Sequence, residues 1–173
     1  MPSVKIDRLL RAGIVVLAGL LVYVIYGSIH EHVVVAGDKA PDFAITADGG
    51  RPVSLPNFGG KLLVLNFWAS WCQPCLEETP SLSEFAEQYK NKGVVVLAVS
   101  VDKDPAAYQK FVERFRPAFL TARDSKIHEE YGTFIYPETY IIDAGGHVLQ
   151  KYAEPENWLN PNLTGYIDSL LKS

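Results

Sequence analysis

Apolar residues fall into three patterns along this chain. From Ala12 to Ile29 they form a run of eighteen residues without a charge, AGIVVLAGLLVYVIYGSI. That is about the minimum for crossing a hydrocarbon core of ~30 Å at ~1.5 Å per residue. Leu62 to Phe67 and Val94 to Val99 are instead short, unbroken runs rich in residues that suit strands buried on both faces, as in a parallel sheet. Between them Leu76, Thr79, Leu82, Phe85, Ala86 and Tyr89 recur every three or four residues, which predicts a helix ending near Asn91 to Gly93. Strand, helix and strand in that order make a right-handed βαβ unit.

The remaining elements are shorter. Phe43–Thr46 and Pro52–Leu55 flank Asp48-Gly49-Gly50 and predict a hairpin. Asp104 as N-cap and Pro105 at the first position start a helix that runs to Phe115. Phe119–Thr121 reads as a short strand, and Ser125–Tyr131 as a helical turn stopped by Gly132. Thr139–Asp143 and His147–Tyr152 pair across Gly145-Gly146, and Leu163, Tyr166, Ile167, Leu170 and Leu171 mark an amphipathic helix over 161–171. The fold class is α/β.

Charge orients the first run. Lys5, Arg8 and Arg11 precede it and Glu31 follows, which predicts a cytoplasmic N-terminus, with the rest outside the membrane. Tyr23 and Tyr26 stand where an interfacial aromatic belt belongs. The expected organisation is a basic cytoplasmic segment 1–11, a signal anchor 12–29, a linker 30–36 and a domain 37–173 on an oxidising side of the membrane. A cleaved signal peptide would have a shorter apolar region and small residues where Tyr26 stands, and a buried core helix would show a polar face. Beyond residue 11 the chain holds 13 basic and 19 acidic residues with no basic stripe, which argues against nucleic acid as a partner.

The only cysteines, Cys72 and Cys75, lie two residues apart where the first strand gives way to the helix. Unpaired N–H groups and the helix dipole favour a thiolate at that point. Cys72, at or before the first turn and nearer to solvent, is the candidate nucleophile, and Cys75 the resolving thiol. Pro74 fits the first turn because no hydrogen bond is lost there. A zinc site would need four ligands, and His30, His32, His128 and His147 show no matching spacing. His128 and His147 are expected at the surface. A two-residue loop would also make a poor structural staple.

Phe67-Trp68-Ala69-Ser70-Trp71-Cys72-Gln73-Pro74-Cys75, followed by Glu78-Thr79-Pro80, resembles the membrane-anchored, extracytoplasmic thioredoxins of the TlpA, ResA and CcmG group. Gly37 to Phe43 and Tyr136-Pro137-Glu138-Thr139 extend the likeness. The resemblance implies a thioredoxin fold with an N-terminal hairpin and a central helical insertion, carrying out thiol–disulfide exchange at Cys72 and Cys75. It further implies a cis Pro137 facing the cysteines, with the Tyr136 backbone offered to an extended client. Glu78, if shielded from water, would have a raised pKa and could move a proton at the resolving thiol; Asn66 stands where cytosolic thioredoxins keep a buried aspartate. As an exposed acid it would merely favour the helix start, like Glu77. Pro80 should kink the helix.

Trp68 and Trp71 would shield the disulfide and, with Gln73 and Pro74, meet the client, whereas Trp158 reads as packing. The expected clients are proteins with disulfides or thiols, apocytochrome c among them, and the expected electron donor is a membrane thiol reductase. No metal or other cofactor is called for. The competing reading is a copper-delivery or redox-sensing module, which would need His128 or His147 near the sulfurs and usually a C-x-x-x-C spacing. Peroxiredoxins share the Ala40-Pro41-Asp42-Phe43 opening but lack W-C-x-x-C.

Overall fold

The computed structural model describes residues 3–29 and 33–172, without the side chains of 3–7, 9 and 26–29. Residues 30–32 of the expected linker and the Tyr26 side chain lie outside that description. The chain divides into two compact units, Met1–Val33 and Val34–Ser173.

In the first unit, α1 (Ser3–Ile29) is one continuous helix, and its described side chains from Leu10 to Ile25 are all exposed. Among the described residues no helix is long and apolar enough to cross a membrane. The span expected over 12–29 reaches past the described side chains, which stop at Ile25, and so lies partly outside them.

The second unit is organised around β3 (Leu62–Trp68), whose seven residues are all buried. It follows a separate antiparallel hairpin, β1 (Ala44–Ala47) and β2 (Arg51–Ser54). With β4 (Val94–Ser100), β5 (Leu120–Arg123), β6 (Glu138–Asp143) and β7 (Val148–Tyr152), β3 forms a five-stranded sheet in the order β5-β4-β3-β6-β7. β3 and β4 run parallel, as do β4 and β5, while β6 and β7 are antiparallel to their neighbours. The period-2 pleat of β3 supplies two cores at once. Leu62, Val64 and Trp68 pack with Leu82 and Phe85 on one face, whereas Leu63, Leu65 and Phe67 pack with Val34, Phe43 and Tyr140 on the other.

The helices are α2 (Gln73–Tyr89), α3 (Pro105–Phe115), the single turn α4 (Ile127–Glu130) and α5 (Pro161–Lys172). α2 ends at Tyr89 and passes through a 3-10 turn, Lys90–Lys92, to Gly93 at φ +96°, a left-handed conformation that suits glycine. Pro80 lies within α2. The α/β thioredoxin fold expected from the sequence is the observed one.

The globular unit begins earlier than Gly37. Val34 is fully buried and donates its N–H to Tyr131 O at 3.1 Å, and Gly37 N–H reaches Val148 O at 2.8 Å. Residues 34–36, expected as linker, are therefore domain. The hairpin is tied down at its turn, where the Asp48 carboxylate accepts from Tyr108 Oη at 2.6 Å and Thr121 Oγ1 at 3.0 Å. Asp48→Ala strands both hydroxyls, so we expect a loss of about 1–2 kcal/mol in urea unfolding; an unchanged midpoint would mean that this clamp is not what holds the hairpin.

Candidate functional site

β3 delivers the chain to the cysteines through a short turn, and the turn is held from below. The carboxylate of Asp102, 2% exposed, accepts from Ser70 N–H (2.9 Å), Ser70 Oγ (2.9 Å) and Ser100 Oγ (2.7 Å). Val101 N–H reaches Trp68 O at 2.9 Å, and Cys72 N–H closes the turn onto Ala69 O at 3.1 Å. Cys72 is then the N-cap of α2, its Sγ accepting the N–H of Cys75 at 3.2 Å, with proline in the first turn. Cys72 and Cys75 are joined as a disulfide with Cα atoms 5.3 Å apart. Exposure does not separate the two, at 4% and 3%. The expectation that Cys72 lies nearer to solvent therefore fails, and what distinguishes it is its capping position.

Glu78 is one turn beyond Cys75 and is buried, unlike its exposed neighbour Glu77. Its Oε1 accepts from the indole Nε1 of Trp158 at 2.6 Å. Burial raises its pKa from the ordinary 4.5 to about 7, against the opposing hydrogen bonds from Trp158 and the Glu156 backbone, with the Glu156 charge adding to the rise. Its Oε2 is buried without a hydrogen-bond partner among the described residues. Glu78, Cys75, Asn66, Trp68 and Pro137 line a cavity of about 10 Å³, the room of a single water. Asn66 itself is satisfied, donating to Thr139 Oγ1 at 2.8 Å.

The loop facing the disulfide brings Tyr136 and Pro137, joined by a cis peptide. Tyr136 meets the ring of Trp71 edge-on at 5.9 Å. Trp71 is 69% exposed, and Gln73 and Pro74 beside it are exposed as well. Trp68 belongs elsewhere. It is 3% exposed and packs on Phe111 at 3.8 Å between ring centroids, so it underlies the site rather than offering a surface. Burial, then the charges of Glu138 and Glu129, holds the Tyr136 hydroxyl above its ordinary pKa.

His128 is not a solvated surface residue. It is half-buried, and its Nδ1 lies 2.9 Å from Thr133 O and 3.1 Å from Tyr136 Oη. A carbonyl only accepts, so Nδ1 carries the hydrogen. His147 is exposed, as expected, and stands 3.5 Å from Asp143. Among the described residues no three His, Cys, Asp or Glu side chains converge as a metal site.

Several residues escaped the sequence reading. Trp158 is fully buried and holds Glu78 rather than merely packing. Asp102 had one available signal, an acid two residues past the end of an apolar strand. Phe134 and Ile135, 62% and 68% exposed, extend the apolar surface next to Tyr136. Glu138 is buried straight after Pro137, where it accepts from Thr133 and Tyr140 hydroxyls and pairs with Lys151 Nζ at 2.6 Å. Lys151 also donates to Val34 O at 3.1 Å, tying the start of the domain to Glu138, the residue that follows the cis proline.

Comparison with known proteins agrees with this geometry. The Redoxin family matches residues 35–167. The thiol-disulfide oxidoreductase ResA of Bacillus cereus (strain ATCC 10987) is 35% identical over 154 residues, covering 85% of this chain and 88% of the relative. ResA of Geobacillus kaustophilus is 36% identical over 143 residues, covering 80% and 82%. Among solved structures, a Chlorobium tepidum protein assigned as thiol:disulfide interchange protein DsbE superimposes with a TM-score of 0.72 at 32% identity, over 81% of this chain and 99% of that one. The Redoxin match over most of the chain, with relatives at 35–36% identity covered over most of their length, places this chain in the Redoxin family, among its thioredoxin-like thiol–disulfide oxidoreductases.

Proposed function

We propose that the chain is a dedicated reductant of protein disulfides outside the cytoplasm, with Cys72 as nucleophile, Cys75 as resolving thiol and Glu78 as proton acceptor. The Cys72 thiolate attacks one sulfur of a client disulfide, forming a mixed disulfide and releasing the other client sulfur as a thiolate that takes a proton. Cys75 then loses its proton to the Glu78 carboxylate and attacks Cys72 Sγ. The Cys72–Cys75 bond forms, the second client sulfur leaves and is protonated, and the client has gained two electrons. The observation that carries this reading is the shared cavity: Glu78, ionising near pH 7, lines the same small space as Cys75.

Trp71 and Tyr136 supply the client surface, with Gln73 and Pro74 at its edge, while Pro137, expected there too, is buried beneath it in the cavity wall. An oxidising compartment already contains oxidant, so a resident exchanger there is most useful as a reductant, with the haem-binding thiols of apocytochrome c as clients and a membrane thiol reductase returning the electrons. Support for an N-terminal anchor comes from the charge-free run 12–29 behind Lys5, Arg8 and Arg11. Redox titration of the purified full chain against glutathione should give a potential nearer ~−270 mV than ~−120 mV; a value near the latter would overturn the reductant assignment. Reporter fusions at the C-terminus should be active only outside the cytoplasm.

A further inference from the structure

We infer that Trp158 is a positioning residue for Glu78: its indole holds one carboxylate oxygen, so that the other is the oxygen offered to the cavity beside Cys75. This rests on Glu78 being the proton acceptor, and it adds the residue that orients it.

The segment between β7 and α5 returns to α2 and grips it at two points one turn apart. Trp158 Nε1 donates to Glu78 Oε1 at 2.6 Å. Its backbone N–H donates to Ser81 Oγ at 3.3 Å, and that hydroxyl lies 3.0 Å from Glu78 O and 3.4 Å from Glu156 O. The indole has no freedom to leave, since it is fully buried against Phe85 at 5.3 Å and Tyr152 at 6.0 Å between ring centroids. An unheld carboxylate can turn about its last bond and present either oxygen. Here Oε1 is committed to Trp158, while Oε2, buried and without a hydrogen-bond partner among the described residues, is left for proton traffic. The indole N–H of Trp68, which lines the same cavity, is likewise buried without a partner among the described residues. A single water placed there would find a donor in Trp68 and an acceptor in Glu78.

The surroundings give this bond leverage over protonation. The titratable groups facing Glu78 are Cys75 on α2 and Glu156 on the returning segment; the other described cavity walls, among them Asn66 and Trp68 of β3, Phe111 of α3 and Pro137, do not titrate. Among the described residues no cation lines the cavity to favour the carboxylate, so the donors that do are the indole of Trp158 and the backbone at Glu156. A hydrogen bond to a charged group, once removed, shifts an ionisation by about one to two pH units.

The test uses the full chain carrying a mixed disulfide of Cys72 with thionitrobenzoate, whose release by Cys75 is followed against pH. Trp158→Phe keeps a ring in the pocket and loses the N–H. It should move the midpoint of release up by about one unit or more, slow release at pH 7 about tenfold, and leave the high-pH plateau in place. In a Glu78→Gln background the same change should have no further effect on the profile. A Trp158→Phe midpoint equal to the parent's, while Glu78→Gln alters the profile, would reduce Trp158 to packing. A profile unaltered by Glu78→Gln would instead remove the premise about Glu78. One readout needs no substitution: in the disulfide form the indole N–H resonance of Trp158 should titrate with the Glu78 midpoint, and an indole signal indifferent to that midpoint would overturn the inference.

Discussion

The Cys75→Ala chain should accumulate covalent adducts with its clients, while Cys72→Ala should form none. The asymmetry follows from position. Cys72 Sγ is the N-cap acceptor of α2, receiving the Cys75 N–H at 3.2 Å, so it stands where unpaired N–H groups and the helix dipole stabilise a thiolate. Cys75 is one turn in and lines the cavity shared with Glu78, so its proton has an acceptor at hand for the resolving step. Removing it leaves the first step intact and blocks the second. Multiple-turnover reduction of a disulfide client should then fall by roughly 10³-fold or more in either variant, since neither can complete the exchange. The difference appears on non-reducing gels, where bands that dithiothreitol collapses should be specific to Cys75→Ala. Adducts seen only with Cys72→Ala would reverse the assignment of the two sulfurs. Cross-linking a two-residue loop contributes little to stability, so unfolding should not account for the lost turnover.

How far the sequence foretold this site depended on whether the signal was local. β3, α2 and β4 were legible because each is written in consecutive residues: two unbroken apolar runs and a helical repeat between them. The stop at Gly93 and the start at Asp104 were legible for the same reason, one requiring a positive φ and the other a side-chain cap. The grip on Glu78 was not, because Trp158 lies 80 residues away and nothing near it in the chain announces a carboxylate partner. The Asp102 clamp reaches back 32 residues to Ser70, and Lys151 reaches Val34 across 117.

Trp68 was a different failure. An aromatic beside reactive cysteines reads equally well as a client surface or as core. Strand parity decides it: Leu62, Val64 and Trp68 share the face of β3 that the helices cover, so Trp68 is buried while Trp71, past the end of the strand, is exposed. His128 was misjudged because its partners, Thr133 and Tyr136, are brought to it by a loop rather than by a periodic element.

Glu78→Gln should make the protein less active and, above neutral pH, more stable. Burial raises the Glu78 pKa to about 7 in the folded chain, against an ordinary 4.5. Between those values the folded state still holds a proton that the unfolded state has released. Stability from this group is therefore complete below about pH 4.5, declines as pH rises, and is lost once the pH has passed through 7. Over 2.5 units this amounts to about 3 kcal/mol, the cost of ionising a carboxyl 5% exposed with one oxygen lacking a partner among the described residues. Glutamine keeps an oxygen for the Trp158 N–H and has nothing to ionise. Urea midpoints of the disulfide forms should accordingly diverge between pH 5 and pH 8, the parent falling relative to the variant. In the same variant the resolving step should slow by roughly 10²-fold or more, because Cys75 has lost its proton acceptor. A parent whose stability held level with that of Glu78→Gln across this range would mean that the buried carboxyl does not ionise near 7, and the proton route through it would have to be abandoned.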